Sequence, residues 1–183
     1  MPGATLARPG EADAFEHEYP SARWLDMRVM RQLQLAGAKA DALVTKVARR
    51  YRLSHAALNA LAVIEGAGGP VPAGQVSAQM HISTATMTTV LDTLERNGYI
   101  TRQPDPGDRR RVLVDVTPSA QALLDQVLPA VQQVVTATLS PLGDQALLGL
   151  LQALTAASDA LDLAPDDLPP PVPRRTPPQL RRG

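Results

Sequence analysis

The chain has 183 residues with 44% hydrophobic and 20% charged side chains, which fits one domain with a substantial core. It has no Cys, which excludes disulfides, thiolate metal sites and thiol redox switches. The 18 basic and 18 acidic residues cancel to a net charge of +0, and only 3% of residues are aromatic, which argues against bulk polyanion binding and against base stacking on single strands.

The two ends of the chain differ from the middle. Residues 1–18 show weak periodicity, and residues 164–183 are rich in Pro and Arg, so we expect disorder at both ends. The arginines of the tail are either solvated or in contact with DNA phosphates. No signal-peptide pattern and no membrane-length apolar segment occurs, so we expect a cytoplasmic protein without a membrane partner. One domain is predicted over residues 19–163.

Helices dominate the first half of that domain. Apolar residues repeat at three- and four-residue spacing over a predicted first helix at about 21–51. Ser54 is a typical N-cap for a second helix that reaches about Glu65. A short helix at about 73–80 and a turn follow, and Ser83 is placed to cap a helix that ends near Asn97. Gly98 is at the position that commonly terminates a helix.

The periodicity then changes to that of strands. Residues 99–102 and 112–116 predict two strands, separated by a Pro- and Gly-rich turn. The order short helix, turn, helix, hairpin is that of a winged helix-turn-helix, here at about 54–117. The fold class predicted is mainly α with a small β-hairpin wing.

Two further helices are predicted at about 118–162. They carry too many apolar residues for one buried stripe each, so their surfaces need covering on more than one side. The sequence therefore predicts a homodimer, with dimerisation helices at about 21–51 and 118–162, although a well-buried intramolecular core is the alternative.

The segments Ser83–Ile100 and Asp105–Thr117 carry a family resemblance. The helix, the Gly break and the Asp-x-Arg wing in series resemble the multiple-antibiotic-resistance regulator (MarR) family, and looser patterning extends the resemblance to roughly residues 19–161. The resemblance implies a dimeric transcription regulator that binds a pseudo-palindromic double-stranded DNA operator. It also implies a repressor released by a small-molecule ligand, without a cofactor or metal.

The predicted recognition helix presents a threonine-rich surface. Its candidate DNA contacts are Ser83, Thr84, Thr86, Thr88 and Thr89. Threonine hydroxyls can donate or accept hydrogen bonds, and threonine methyls can contact the thymine methyl. Five threonines in one helix oppose helix propensity, which favours a role in binding over simple exposure. Many family members resemble this helix but carry Arg at the position of Thr89.

The predicted wing supplies the basic patch, with Arg109, Arg110 and Arg111 after a tight turn. Arginine is favoured in narrow minor grooves. The resemblance implies that Arg110 inserts there while Asp108 orients it through a charge-assisted bond. Arg109 and Arg111 are expected to reach phosphates.

A small aromatic or anionic effector is also implied by the resemblance, in a cleft between the dimerisation helices and the winged region. The residues predicted to line it are Trp24, Met27, Arg28, Met30, Tyr51 and His55.

Other classes of function fit less well. No phosphate loop, nucleophile elbow or His-Glu-x-x-His pattern occurs, so an enzyme is not expected. Metal sensing through Glu16, His17 and Glu18 is a further alternative. A winged helix that binds protein, or a regulator without a ligand, also stays open, although the arginine run favours DNA.

Overall fold

The computed structural model describes residues 10–108 and 110–164. They divide into two compact units, one from residues up to Lys39 together with those from Leu150 onward, the other Ala40–Gly149. Helices α2 (Trp24–Ala48) and α7 (Asp144–Asp162) each run from one unit into the other.

The second unit contains a winged helix-turn-helix, as predicted. We call its residues 55–116 the winged lobe. After a 3₁₀ turn at Arg49–Tyr51, the elements in chain order are α3 (His55–Gly66), β1 (Val71–Pro72), α4 (Ala73–Gln79), α5 (Thr84–Arg96), β2 (Ile100–Pro104), β3 (Val112–Val116) and α6 (Pro118–Leu139).

The core of this unit is sealed. Apolar side chains from every helix of the lobe and from α6 meet there, and the members with no measurable exposure include Leu61, Ile64, Leu94, Val114 and Leu124. Helix α5 packs on this core through Met87, Leu91 and Leu94, which are all buried. This core fixes which face of α5 points outward.

The wing is a three-stranded antiparallel sheet in the order β1-β3-β2. The long pair runs from Ile100 opposite Val116 to Pro104 opposite Val112. The sequence predicted only these two strands. The third, β1, pairs Val71 with Val114, and its two residues are too short to show any alternation.

The first unit begins with a helix that the sequence did not predict. Helix α1 spans Glu11–Glu18, within the segment expected to be disordered, so that expectation is wrong for these residues. Acidic residues in its first turn suit the positive end of the helix. The Trp24 N–H donates to Glu16 Oε1 at 3.2 Å, and Arg28 lies 3.9 Å from Glu11, which ties α1 to the start of α2. Residues 1–9 and the tail from 165 lie outside the described residues.

Helix α7 buries no side chain in the single chain. Its exposed leucines include Leu148 at 61% and Leu151 at 62%. Ser140–Leu142 form a 3₁₀ turn, and α7 starts at Asp144, after Gly143 with φ 78°.

No single described helix is both long and apolar enough to span a membrane, although Pro118–Leu142 and Asp144–Asp162, bent at 104°, pass such a test when taken together.

Candidate nucleic-acid interface

Helix α5 is held firmly at its start. The Ser83 side chain caps it by accepting from the Thr86 N–H at 3.2 Å, which satisfies one of the free donors of the first turn. Before it, His81 takes a left-handed conformation with φ 49°, and the Ile82 N–H donates to the Ser77 carbonyl at 3.2 Å. This tight turn sets α5 against α4.

The outward face of α5 carries the residues that were predicted to contact DNA. Its first two turns expose Thr84, Ala85, Thr86, Thr88 and Thr89. All of these side chains are short and none is charged, so the helix can approach a groove floor closely. The first charged residue along α5 is Asp92.

Three threonine hydroxyls of this helix donate to carbonyl groups of the helix itself. The Thr88 hydroxyl donates to the Thr84 carbonyl at 2.9 Å and the Thr89 hydroxyl to the Ala85 carbonyl at 3.3 Å. Thr93 donates in the same way to the Thr89 carbonyl at 3.0 Å. These bonds commit the hydroxyl protons of Thr88 and Thr89, which the sequence analysis regarded as available to bases.

The wing tip is shaped by two aspartates that accept from the backbone. Asp105 Oδ1 accepts from the Gly107 N–H at 2.8 Å, and Asp108 Oδ1 accepts from the Arg110 N–H at 3.0 Å. The loop closes where the Asp105 N–H donates to the Arg111 carbonyl at 3.0 Å. Local bonds of this kind stabilise turns, so Asp105 and Asp108 hold the described residues of the loop through the backbone.

The geometry corrects one prediction about the wing. Asp108 accepts a hydrogen bond from the backbone N–H of Arg110. The sequence predicted instead that Asp108 orients the guanidinium of Arg110. Arg111 is paired within the wing, since its Nε lies 3.6 Å from Asp105 Oδ2. The Arg110 side chain is exposed, and Arg109 lies outside the described residues.

Arg102 connects the wing to the recognition helix, a link that the sequence analysis missed. Its Nη2 donates to Asp92 Oδ1 at 2.7 Å. Its buried Nε lies 3.4 Å from Glu95 Oε2 without hydrogen-bond geometry, so the second contact is an ion pair only. Opposite charges on α5 and β2 were visible in the sequence, but their pairing depends on the packing of β2 against α5.

The residues predicted to line the effector cleft are divided between the two units. In the first unit, Trp24 and Arg28 line an apolar groove of about 470 Å³ between the start of α2 and the end of α7. The Arg28 guanidinium lies 5.4 Å from the centre of the Trp24 ring. Met27 and Met30 are exposed on the same helix and do not line this groove.

Tyr51 and His55 belong to the second unit. The Tyr51 hydroxyl donates to the Gln126 carbonyl at 3.3 Å. His55 Nδ1 lies 3.4 Å from Asp41 Oδ1, and its Nε2 lies 3.0 Å from Asn59 Nδ2. Both residues therefore hold structural contacts in this unit.

The metal alternative gains no support. Over residues 10–108 and 110–164, no three His, Asp or Glu side chains converge as metal ligands. Glu16, one of the three residues considered, caps the Trp24 N–H instead.

Several known proteins resemble this chain in sequence. The MarR family model matches residues 53–112. The regulator PecS of Dickeya dadantii is 30% identical over 116 residues, which cover 62% of this chain and 70% of PecS. The Bacillus subtilis regulator YcgE is 40% identical over 62 residues, and the chain spans only 40% of its length.

A solved structure agrees over a longer span. BpsR of Bordetella bronchiseptica, described as regulated in DNA binding by 6-hydroxynicotinic acid, matches with a TM-score of 0.65 and 25% identity over 72% of this chain and 93% of BpsR. The winged helix-turn-helix, the flanking helices and the identity to PecS agree with one another, and the chain belongs to the MarR family of DNA-binding transcription regulators and is not an enzyme.

Proposed function

We propose that this regulator is a homodimeric repressor, which binds a pseudo-palindromic operator and leaves it when a small molecule binds. The observation that carries the DNA-binding part is that the first two turns of α5 expose only short, uncharged side chains, and that Arg110 is exposed on a loop held by hydrogen bonds to two aspartates. A loop held in this way loses little conformational entropy when it binds DNA. As a DNA-binding regulator, it is expected to act in the cytoplasm.

The homodimer is supported by the exposed apolar surface of α7 and the first half of α2. Leu148 and Leu151 are more than half exposed, as are Leu25 and Met27. A helix with no buried face of its own gains little stability until a partner covers it. Two copies would present two recognition helices to half-sites about 34–36 Å apart.

Protein binding by the winged lobe is the second candidate. The position of Arg110 favours DNA over this alternative. A guanidinium with no described ion pair suits a polyanion, since phosphates and narrow minor grooves supply the missing negative charge.

The repressor proposal can be tested with a random-oligonucleotide selection on the full chain, followed by anisotropy at several salt concentrations. We expect a two-fold symmetric site and an affinity that falls steeply with salt. Affinity equal to that for random DNA would favour the protein-binding alternative.

An effector site in the apolar groove of the first unit is the ligand-binding part of the proposal. Trp24 and Arg28 there suit an aromatic acid, because the Trp24 ring can stack on the aromatic group, and the Arg28 guanidinium, which lies 3.9 Å from Glu11, would exchange that carboxylate for the carboxylate of the ligand. Regulation of the similar protein BpsR by 6-hydroxynicotinic acid is consistent with a ligand of this class.

Trp24 is the only tryptophan of the chain, so its fluorescence reports on this groove directly. We expect 6-hydroxynicotinic acid or a related aromatic acid to quench it and to lower operator affinity, and Arg28→Gln to weaken both effects. Arg31→Gln on the same helix is the matched control. Release from DNA without any change in Trp24 emission would place the effector elsewhere.

A further inference from the structure

Threonine rotamers on the recognition helix determine which base features it can read. Because the Thr88 hydroxyl donates to the Thr84 carbonyl at 2.9 Å, its oxygen is left as an acceptor and its methyl group is the remaining branch. Thr89 repeats the arrangement with a longer and weaker bond of 3.3 Å to Ala85. Both side chains are exposed.

Guanine meets no Arg or Lys donor on this surface, and the hydroxyl protons of Thr88 and Thr89 are committed to carbonyl groups of their own helix. In the major groove guanine offers two acceptors, which are usually read by an Arg or Lys donor. The exposed residues from Thr84 to Thr89 include no charged side chain and no side-chain amide. The feature that methyl groups and Ala85 can recognise is the thymine methyl, which G·C pairs lack.

We propose that α5 selects thymine through the methyl groups of Thr88 and Thr89, and that the half-site under this helix is therefore rich in A·T pairs. This inference rests on the DNA-binding function proposed above. The hydroxyl oxygens then accept from the adenine amino group of the same pairs. The exposed Arg110 has the same preference independently, since A·T tracts narrow the minor groove.

The first test replaces single thymines of the selected half-site by uracil, which removes only the methyl group. For the full-length protein we expect the dissociation constant to rise about fourfold for each contacted methyl. Equal binding of the thymine and uracil sites would overturn the proposal.

Two matched double variants assign the effect to the threonines. Thr88→Ser with Thr89→Ser keeps both hydroxyls and removes both methyls, so the ratio between uracil and thymine sites should fall close to one. Thr88→Val with Thr89→Val keeps the methyls, so that ratio should persist. Because the positions are exposed, both variants should keep the thermal midpoint, which we would check first.

The outcomes separate this inference from the underlying function. A selection that returns a site with only G·C pairs under α5, or a serine variant that still distinguishes uracil from thymine, overturns the methyl readout and leaves the repressor standing. A selection that returns no site overturns both.

Discussion

The winged lobe and helix α7 use their leucines in opposite ways. Leu61 and Leu94 of the lobe have no measurable exposure, whereas Leu148 and Leu151 of α7 are more than 60% exposed. The same residue type therefore stabilises the fold of one chain in the lobe and is available for a second chain on α7. The difference shows that apolar content alone does not distinguish a buried core from an exposed apolar surface.

The strongest test of this contrast places charges on α7. Leu148→Glu with Leu151→Glu alters four leucines per dimer, each worth about 1.5–3 kcal/mol when covered. We expect the dimer dissociation constant to rise more than about ten-thousandfold in sedimentation equilibrium, which corresponds to roughly 6 kcal/mol or more.

Ala146→Glu is the control for that variant, because Ala146 is exposed and lies on the opposite side of the helix from both Leu148 and Leu151. It should leave the dimer intact. A double-glutamate variant that stays dimeric at the same concentration would remove the argument that α7 is an interface.

The second test shortens a core leucine. Leu94→Ala leaves a cavity beside fully buried neighbours, and we expect the free energy of unfolding to fall by about 2–5 kcal/mol in urea. Leu163→Ala, at a residue that is 84% exposed, should change it by less than about 0.5 kcal/mol. Similar losses for both variants would contradict the division between a sealed lobe and an exposed C-terminal region.

The third test concerns the wing. Arg110→Ala should cost about 1–3 kcal/mol of operator binding while circular dichroism and the thermal midpoint stay unchanged, since the side chain is exposed. Arg31→Ala, another exposed arginine, serves as the control. Equal losses for the two variants would mean that Arg110 contributes general charge only.

The smallest effect is expected for the link between wing and helix. Arg102→Gln and Asp92→Asn each remove one charge from the pair joined by the 2.7 Å bond. A double-mutant cycle should give a coupling of roughly 0.5–1 kcal/mol in unfolding, because both side chains are partly solvated. A coupling near zero would show that the packing of β2, rather than this ion pair, fixes the wing on α5.

The parts of the fold that the sequence predicted are those with a local signal. Ser83 caps α5 as its position implied, and Gly98 ends the helix with φ 73°. Strand β1 was not predicted because Val114, with which its Val71 pairs, is distant in sequence. Helix α1 was not predicted because it buries no residue and so has no clear apolar face in the sequence.

The candidate site shows the same limit. The sequence identified the exposed threonines and the wing loop, since both follow from periodicity and turn residues. It could not show that Thr88 bonds to its own helix, or that Asp108 accepts from the Arg110 backbone. Those details depend on rotamers, which the order of residues does not specify.

The two aspartates of the wing separate the shape of the loop from the identity of its arginines. Because Asp105 and Asp108 accept from backbone N–H groups, the hydrogen bonds that hold the turn do not involve the side chain at residue 110. We therefore expect substitutions at residue 110 to change DNA binding at little cost in folding free energy. Under the proposed function, such a regulator would acquire new target genes in an evolving lineage by single substitutions at the wing tip.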